Sequence, residues 1–305
     1  MLLKTKLAEA EGYETAHDWP KAIASYVSLA NEFPDSDTGK VRLEMMLASL
    51  RPTLDKMSDD EFAKLRGPMT DAARLEVSTA MMTMGAHLRH SDPREAFKWF
   101  NAAAARGITP ALVQMGLMYS NGAGVEHDLA KAVSWFQQAS DKGDPAGKAC
   151  LAECYLYGHG VRKDEKRAVE ILKDAVAGND PRAMNLLGTC YHQGIGTPKN
   201  FDEAFRLFSQ AMELKFGDAA GNLGVLYING DGVPPDAHKA AELFQQGARD
   251  GNSYCMYQLA RCLELGTGID ANQLQAESWY KKSAEAGNPR ALEWCRKHNV
   301  AVSPR

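Results

Sequence analysis

The sequence is short of the features that mark most specialised protein classes. Six cysteines in 305 residues are too few for a disulfide-held scaffold. No apolar run approaches the roughly 20 residues that a bilayer-spanning helix needs. The N-terminus, Met1-Leu2-Leu3-Lys4-Thr5-Lys6, turns charged at once and has no apolar leader stretch. Basic excess is absent as well. The net charge is −4, so no global positive field exists to hold nucleic acid. Sustained period-2 alternation is missing, which argues against a sheet. So are the H-E-x-x-H, G-x-S-x-G, C-x-x-C and P-loop signatures. With 45% hydrophobic and 24% charged residues, the composition is still that of an ordinary folded chain. Together these absences predict a cytoplasmic protein with free thiols, no membrane insertion, no nucleic-acid partner and no cofactor.

What the chain does have is a period. Tyr119, Tyr155, Tyr191, Tyr227 and Leu263 are each 36 residues apart. Gly122, Gly158, Gly194, Gly230 and Gly266 keep that step, as do Gly124, Gly160, Gly196, Gly232 and Gly268. Ala96, Ala132, Ala168, Ala204, Ala240 and Ala276 form a further column, and Asp92, Asp128, Asp164, Asn200, Asp236 and Asn272 another. Such self-similarity is the signature of a repeat architecture.

Each column has a physical meaning. Asp or Asn four residues before the alanine is a helix N-cap, its side chain accepting from a free N–H of the first turn. One turn beyond the alanine stand Phe100, Phe136, Leu172, Phe208, Phe244 and Tyr280, on the same helical face. These large residues are expected to bury against the next unit. Glycine tolerates the positive φ of a helix C-cap, so each Gly-x-Gly pair ends one helix and turns the chain. The pairs do not read as phosphate cradles, because they recur five times at one fixed place. Asp144-Pro145, Asp180-Pro181 and Asn288-Pro289 add a second cap with Pro at the first helical position. Each unit is therefore helix A, a turn, then helix B. Helices A fall near 110–121, 146–157, 182–193, 218–229 and 254–265. Helices B fall near 93–106, 129–142, 165–177, 201–214, 237–249 and 273–286. One such hairpin cannot bury its own apolar face, and stacking creates the core.

The pattern running from Ala111 to Ala139, Ala-x4-Gly-x2-Tyr-x2-Gly-x-Gly-Val and then Asp-x3-Ala-x2-Trp-Phe-x2-Ala, resembles the Sel-one-like repeat. That repeat is the 36-residue relative of the tetratricopeptide repeat. The resemblance covers residues 92–292. It implies an all-α fold, a right-handed α/α superhelical solenoid whose A helices line the inner surface. It also implies a bacterial-type adaptor or scaffold for protein complexes rather than an enzyme.

The ends depart from the pattern. Residues 70–298 read as the array, with five full units over about 110–287 and partial ones at both ends. An A helix containing Gly85 is expected over 70–90, and Pro289 to Trp294 begins an A helix without a B partner. Residues 1–69 read as a helical segment. Tyr13, Ala22, Tyr26, Leu29 and Pro34 have the spacing of one tetratricopeptide-like unit over about 3–34. A helix over 39–51, stopped by Pro52, and a short one capped by Ser58 with Glu61 bridge to the array. Residues 299–305 are a tail.

The cysteines dissolve into the repeat. Cys154, Cys190 and Cys262 share a column with Met118 and Leu226, and Cys255 shares one with Ala111, Gly147, Ala183 and Ala219, so each acts as an apolar filler. The resemblance raises disulfides between helix A and helix B, but no repeat B helix carries a cysteine. Cys154, His159, Cys190 and His192 match no standard ligand spacing, so no metal is expected.

Function then falls to the A-helix residues left after packing and capping columns are removed. Arg182, Asn185, His192, Asn222, Asn229, Tyr254, Tyr257, Gln258 and Arg261 are the candidate contacts for a protein or peptide partner. Amides can bond an extended backbone, tyrosines give contact area at low entropic cost, and arginines can meet an acidic group. Arg182, Asn185 and Asn222 resemble the carboxylate-gripping pattern of peptide-binding tetratricopeptide domains, although its lysines are missing. The rival surface is the outer B-helix face, with Lys131, Lys166 and Arg206. Two alternatives stand beside the scaffold. One is a regulatory or targeting segment of a larger protein, such as a signalling enzyme. The other is a hydrolase-type repeat protein, for which the sequence supplies no nucleophile with a base.

Overall fold

The computed structural model describes residues 2–302; of the predicted tail, residues 303–305 lie outside that range. Among the described residues there are seventeen helices and no strand. The first five are α1 (Leu2–Thr15), α2 (Trp19–Glu32), α3 (Thr38–Leu54), α4 (Asp59–Arg74) and α5 (Ser78–Ser91). The B helices are α6 (Pro93–Ala105), α8 (Leu129–Asp141), α10 (Glu165–Ala177), α12 (Phe201–Glu213), α14 (Ala237–Arg249) and α16 (Gln273–Glu285). Their A partners are α7 (Thr109–Asn121), α9 (Pro145–Tyr157), α11 (Pro181–Gln193), α13 (Gly217–Asn229) and α15 (Ser253–Leu265), with α17 (Pro289–Lys297) last. The chain forms two compact units. One runs to Gly147 and takes in His159–Val161; the other comprises Lys148–Gly158 and the chain from Arg162 onward.

The columns do what their chemistry requires. All six B-helix cap residues accept from the N–H three residues on, as Asp128 does from Lys131 at 2.9 Å and Asn272 from Gln275 at 3.0 Å. Each A-to-B turn is closed by one backbone bond, such as Asp236 N–H to the Tyr227 carbonyl at 3.0 Å. That bond fixes the turn length. The first glycine of each pair is the left-handed C-cap, with φ of 66° at Gly122 and 70° at Gly266. The second glycine has a further role. A Cβ at Gly268 would sit 1.9 Å from the Ala237 carbonyl oxygen, and one at Gly124 would sit 2.2 Å from that of Pro93. This column therefore seats each turn on the start of the preceding B helix, so it is a packing site as well as a turn.

The large B-helix residues are buried and share core clusters with the next unit as expected, Phe208 with Leu223 and Leu226 of α13 and Phe244 with Leu259 and Cys262 of α15. The four phenylalanine rings also cover bare glycine backbone on the A helix that precedes them. A Cβ at Gly116 would lie 2.3 Å from the Phe136 ring, one at Gly188 2.7 Å from Phe208, and one at Gly224 2.5 Å from Phe244. Where the A helix carries Ala152 instead, the facing residue is the smaller Leu172, and both are fully buried. Volume is conserved across the pair, as a close-packed interior demands.

The N-terminal segment corrects three expectations. Helix α3 does not stop at Pro52 but runs to Leu54. Proline keeps a helical φ and forfeits only one bond near the end. Leu54 is buried, and its carbonyl accepts from His87 Nε2 at 2.8 Å. Helix α4 is 16 residues long rather than short, because Phe62, Leu65, Met69 and Ala72 bury one continuous stripe. Its capping box at Ser58 and Glu61 is present. The expected helix over 70–90 is broken, since Glu76 takes a positive φ of 63° between α4 and α5. The N-terminus of α5 has no side-chain cap of its own. Glu44 of α3 caps it instead, accepting from the N–H of Ser78 at 2.8 Å and Thr79 at 2.9 Å.

Candidate functional site

Within the second unit, α11, α13 and α15 present the candidate residues. Five of the nine lie on α11 and α13, and each of these is engaged with a side chain of another repeat position or turn in the same unit. Arg182 forms an ion pair with Glu153, and its Nη1 lies 3.6 Å from Cys150 Sγ. The Asn222 amide donates to Asn185 Oδ1 at 2.7 Å, and Asn185 is only 9% exposed. His192 Nε2 and the Asn229 amide converge on one oxygen of Asp231, at 2.8 Å and 3.0 Å. The His192 hydrogen bond, helped by Asn229, holds the Asp231 carboxyl below the usual range. Arg182, Asn185 and Asn222 therefore bond within the repeat array as well as standing on the A-helix face. Polar groups on neighbouring A helices satisfy one another, because a half-buried donor left unpaired is costly.

The other four residues lie on α15. Gln258 donates from Nε2 to Tyr254 Oη at 2.7 Å, and Arg261 Nη1 reaches Gln258 Oε1 at 3.4 Å. Tyr257 packs edge-on to Tyr280, with ring centroids 5.7 Å apart, so it faces the core side rather than the groove. Tyr254, Gln258 and Arg261 join Asn229 in lining a pocket of about 250 Å³. Its apolar part is Val225 and Ile228 of α13, Leu265 of α15, and Phe244 and Cys262 beneath. Ile228 and Leu265 are 38% and 65% exposed, and what sets them apart is that they line one concavity together. The pocket is thus an apolar well with an amide and a guanidinium at its edge. The repeat register places Val225, Ile228 and Leu265 at inward-facing A-helix positions, but a candidate list confined to polar and aromatic side chains leaves them out. Gly221 holds another of these inward positions, and a Cβ there would fall 2.9 Å from the Tyr254 ring. That bare backbone lets the tyrosine lie against α13 and sets the width of the well.

The outer face offers less. Lys131 is tied to Asp128 at 3.1 Å and lies over the Tyr119 ring, and Arg206 bonds Glu203 and Gln210 of its own helix. All six cysteines are free and buried. Burial pushes the Cys150 and Cys255 thiols up to about 12 and those of Cys154 and Cys190 to about 11. Among the described residues, no group of three His, Cys, Asp or Glu side chains is placed to hold a metal ion. Nor is any described helix long and apolar enough to cross a membrane.

The repeat fold has counterparts among known proteins. The Sel1 repeat family model matches residues 80–108, 109–144, 150–180, 181–216, 217–252 and 253–288. A Sel1 repeat protein from Oxalobacter formigenes is similar in structure, with a TM-score of 0.59 and 26% identity, over 74% of this chain and 92% of that one. A protective antigen of uropathogenic Escherichia coli with the same repeat fold gives a TM-score of 0.57 at 23% identity, over 92% of this chain and 61% of that one. The immunity protein Pa5087 of Pseudomonas aeruginosa gives 0.51 at 20%, over 68% and 81%. A search of the curated proteins gave no match.

Proposed function

We propose that this chain, which belongs to the Sel1 repeat family, is a non-catalytic interaction scaffold that binds a peptide or helical segment of a partner protein on its A-helix face. Repeats of this kind generally mediate protein–protein contacts, and the chain is an all-α solenoid of that type. The observation that carries the reading is the well between α13 and α15. It exposes Ile228 and Leu265 beside Gln258 and Arg261. Soluble surfaces seldom gather large apolar side chains with polar groups around a concavity unless something docks there. Elsewhere on this face, the polar residues are spent on one another. The contact centre is therefore α13 and α15, with Arg182, Asn185, His192 and Asn222 supporting the face rather than gripping the partner.

A photo-crosslinking residue placed at Leu265, and separately at Lys166 on the outer face, tests this in lysate of the source cells. A discrete adduct from position 265 and none from 166 is the expected result. Adducts from 166 alone would move the site to the outer face.

A further inference from the structure

The α13/α15 well sits beside a charge pattern that the repeat register makes readable. Glu153 of α9 pairs with Arg182 of α11 across adjacent A helices, 29 residues apart. Two and three periods on, the equivalent positions are Val225 with Tyr254 and then Arg261 with Arg290. The slot that holds an ion pair early in the second unit therefore carries two arginines at its far end. Neither arginine has a carboxylate within ion-pair distance among the described residues. Nearby acids are committed elsewhere. Glu264 accepts from Tyr280 Oη at 2.7 Å and Trp294 Nε1 at 3.2 Å, and Glu293 pairs with Lys297 at 2.8 Å. Arg261 keeps only a 3.4 Å contact to Gln258, and both arginines are exposed.

Resting on the peptide-binding reading above, we infer that the bound segment is acidic, with a large apolar residue within a few positions of an aspartate or glutamate. Its apolar side chain fills the well against Val225, Ile228 and Leu265, whose volume of about 250 Å³ admits one such group. Its carboxylate takes the place that Glu153 occupies beside Arg182, between Arg261 and the α17 arginine. Two like charges at equivalent positions repel, and an incoming carboxylate relieves that repulsion while accepting charge-assisted hydrogen bonds. A basic segment would meet the opposite field.

The probe is a displayed library of random linear heptapeptides, selected on the full chain, with the enriched peptide then synthesised and titrated by NMR. Enrichment of Leu, Ile, Met or Phe within three residues of Asp or Glu is expected, with shifts at Val225, Ile228 and Leu265. Replacing the peptide's acid by its amide should weaken binding roughly 5- to 50-fold, in line with the loss of one charge-assisted bond at a partly exposed site. The Arg261→Gln and Arg290→Gln double variant should lose affinity for the acidic peptide by a similar factor, yet bind the amide peptide as the parent does. Helicity checked by circular dichroism should be unaltered, since both side chains are exposed. Binding at the well with no preference for an acid would overturn this inference and leave the groove reading standing. No selected peptide shifting the well would overturn both.

Discussion

Gly116→Ala would place a methyl carbon 2.3, 2.6 and 2.9 Å from three carbons of the Phe136 ring. Carbon atoms need about 3.5 Å or more, so the ring must move, and Phe136 is only 3% exposed. Forcing an extra methylene into a close-packed site costs about 1–3 kcal/mol. Alanine returns roughly 1 kcal/mol in helix propensity over glycine. The net loss should be about 0–2 kcal/mol. At Gly12, also helical, a Cβ meets nothing within 4 Å, so Gly12→Ala should stabilise by about 0.5–1 kcal/mol. The chain itself supplies the rescue, because Ala152 faces Leu172 at the equivalent place. Phe136→Leu alone should cost about 1–2 kcal/mol for the vacated volume. Combined with Gly116→Ala, it should fill that volume, and the double variant should lose clearly less than the sum. The aromatic Tyr280 faces the Ala260 position with its ring stacked on Trp294 at 4.0 Å and its hydroxyl bonded to Glu264, contacts that Phe136 does not have. Urea midpoints followed by far-ultraviolet circular dichroism give the four corners of the cycle. Additivity within about 0.5 kcal/mol would show that glycine and ring are not complementary, and would refute the reasoning.

Three other outcomes follow from the packing. Glu44→Ala removes the cap that α3 lends to α5, so it should cost about 1–2 kcal/mol and speed amide exchange at Ser78 and Thr79 before other sites; unchanged exchange there would refute the cap. Burial holds the cysteine thiols protonated, so the native protein at pH 8 should react negligibly with a thiol reagent, and all six should react in denaturant. Asp231 has a folded pKa lowered mainly by His192, so its stabilisation is full above the unfolded carboxyl value near 4 and is lost as pH falls through the folded one. Asp231→Asn should accordingly flatten the fall in thermal midpoint below about pH 4, and an unchanged slope would show that this pair adds no acid sensitivity.

How much of this was legible depends on distance along the chain. The 36-residue columns gave every A and B helix from Pro93 onward, because caps, turns and helix faces are local and repeat. The N-terminal segment was harder. Pro52 and Pro68 look like helix ends, and only the burial of Leu54 and Met69 shows why the helices continue through them. The Glu44 cap joins residues 34 and 35 apart in a region without a period, so no local signal announces it. The site suffered from a different blindness. Removing packing and capping columns leaves residues that face a partner and residues that face the adjacent A helix, and composition cannot separate them. Separation can. The ties that spend Arg182, Asn185 and His192 join residues 29, 37 and 39 apart, which is one period to within about two turns of helix. Complementary residues at that spacing are lateral partners; uncomplementary ones, such as Val225 with Tyr254 or Arg261 with Arg290, cannot satisfy each other. By that rule the unspent surface is at α13, α15 and α17, where the aliphatic well and the two arginines lie. A partner must bring what the repeat itself withholds, an apolar side chain and a negative charge.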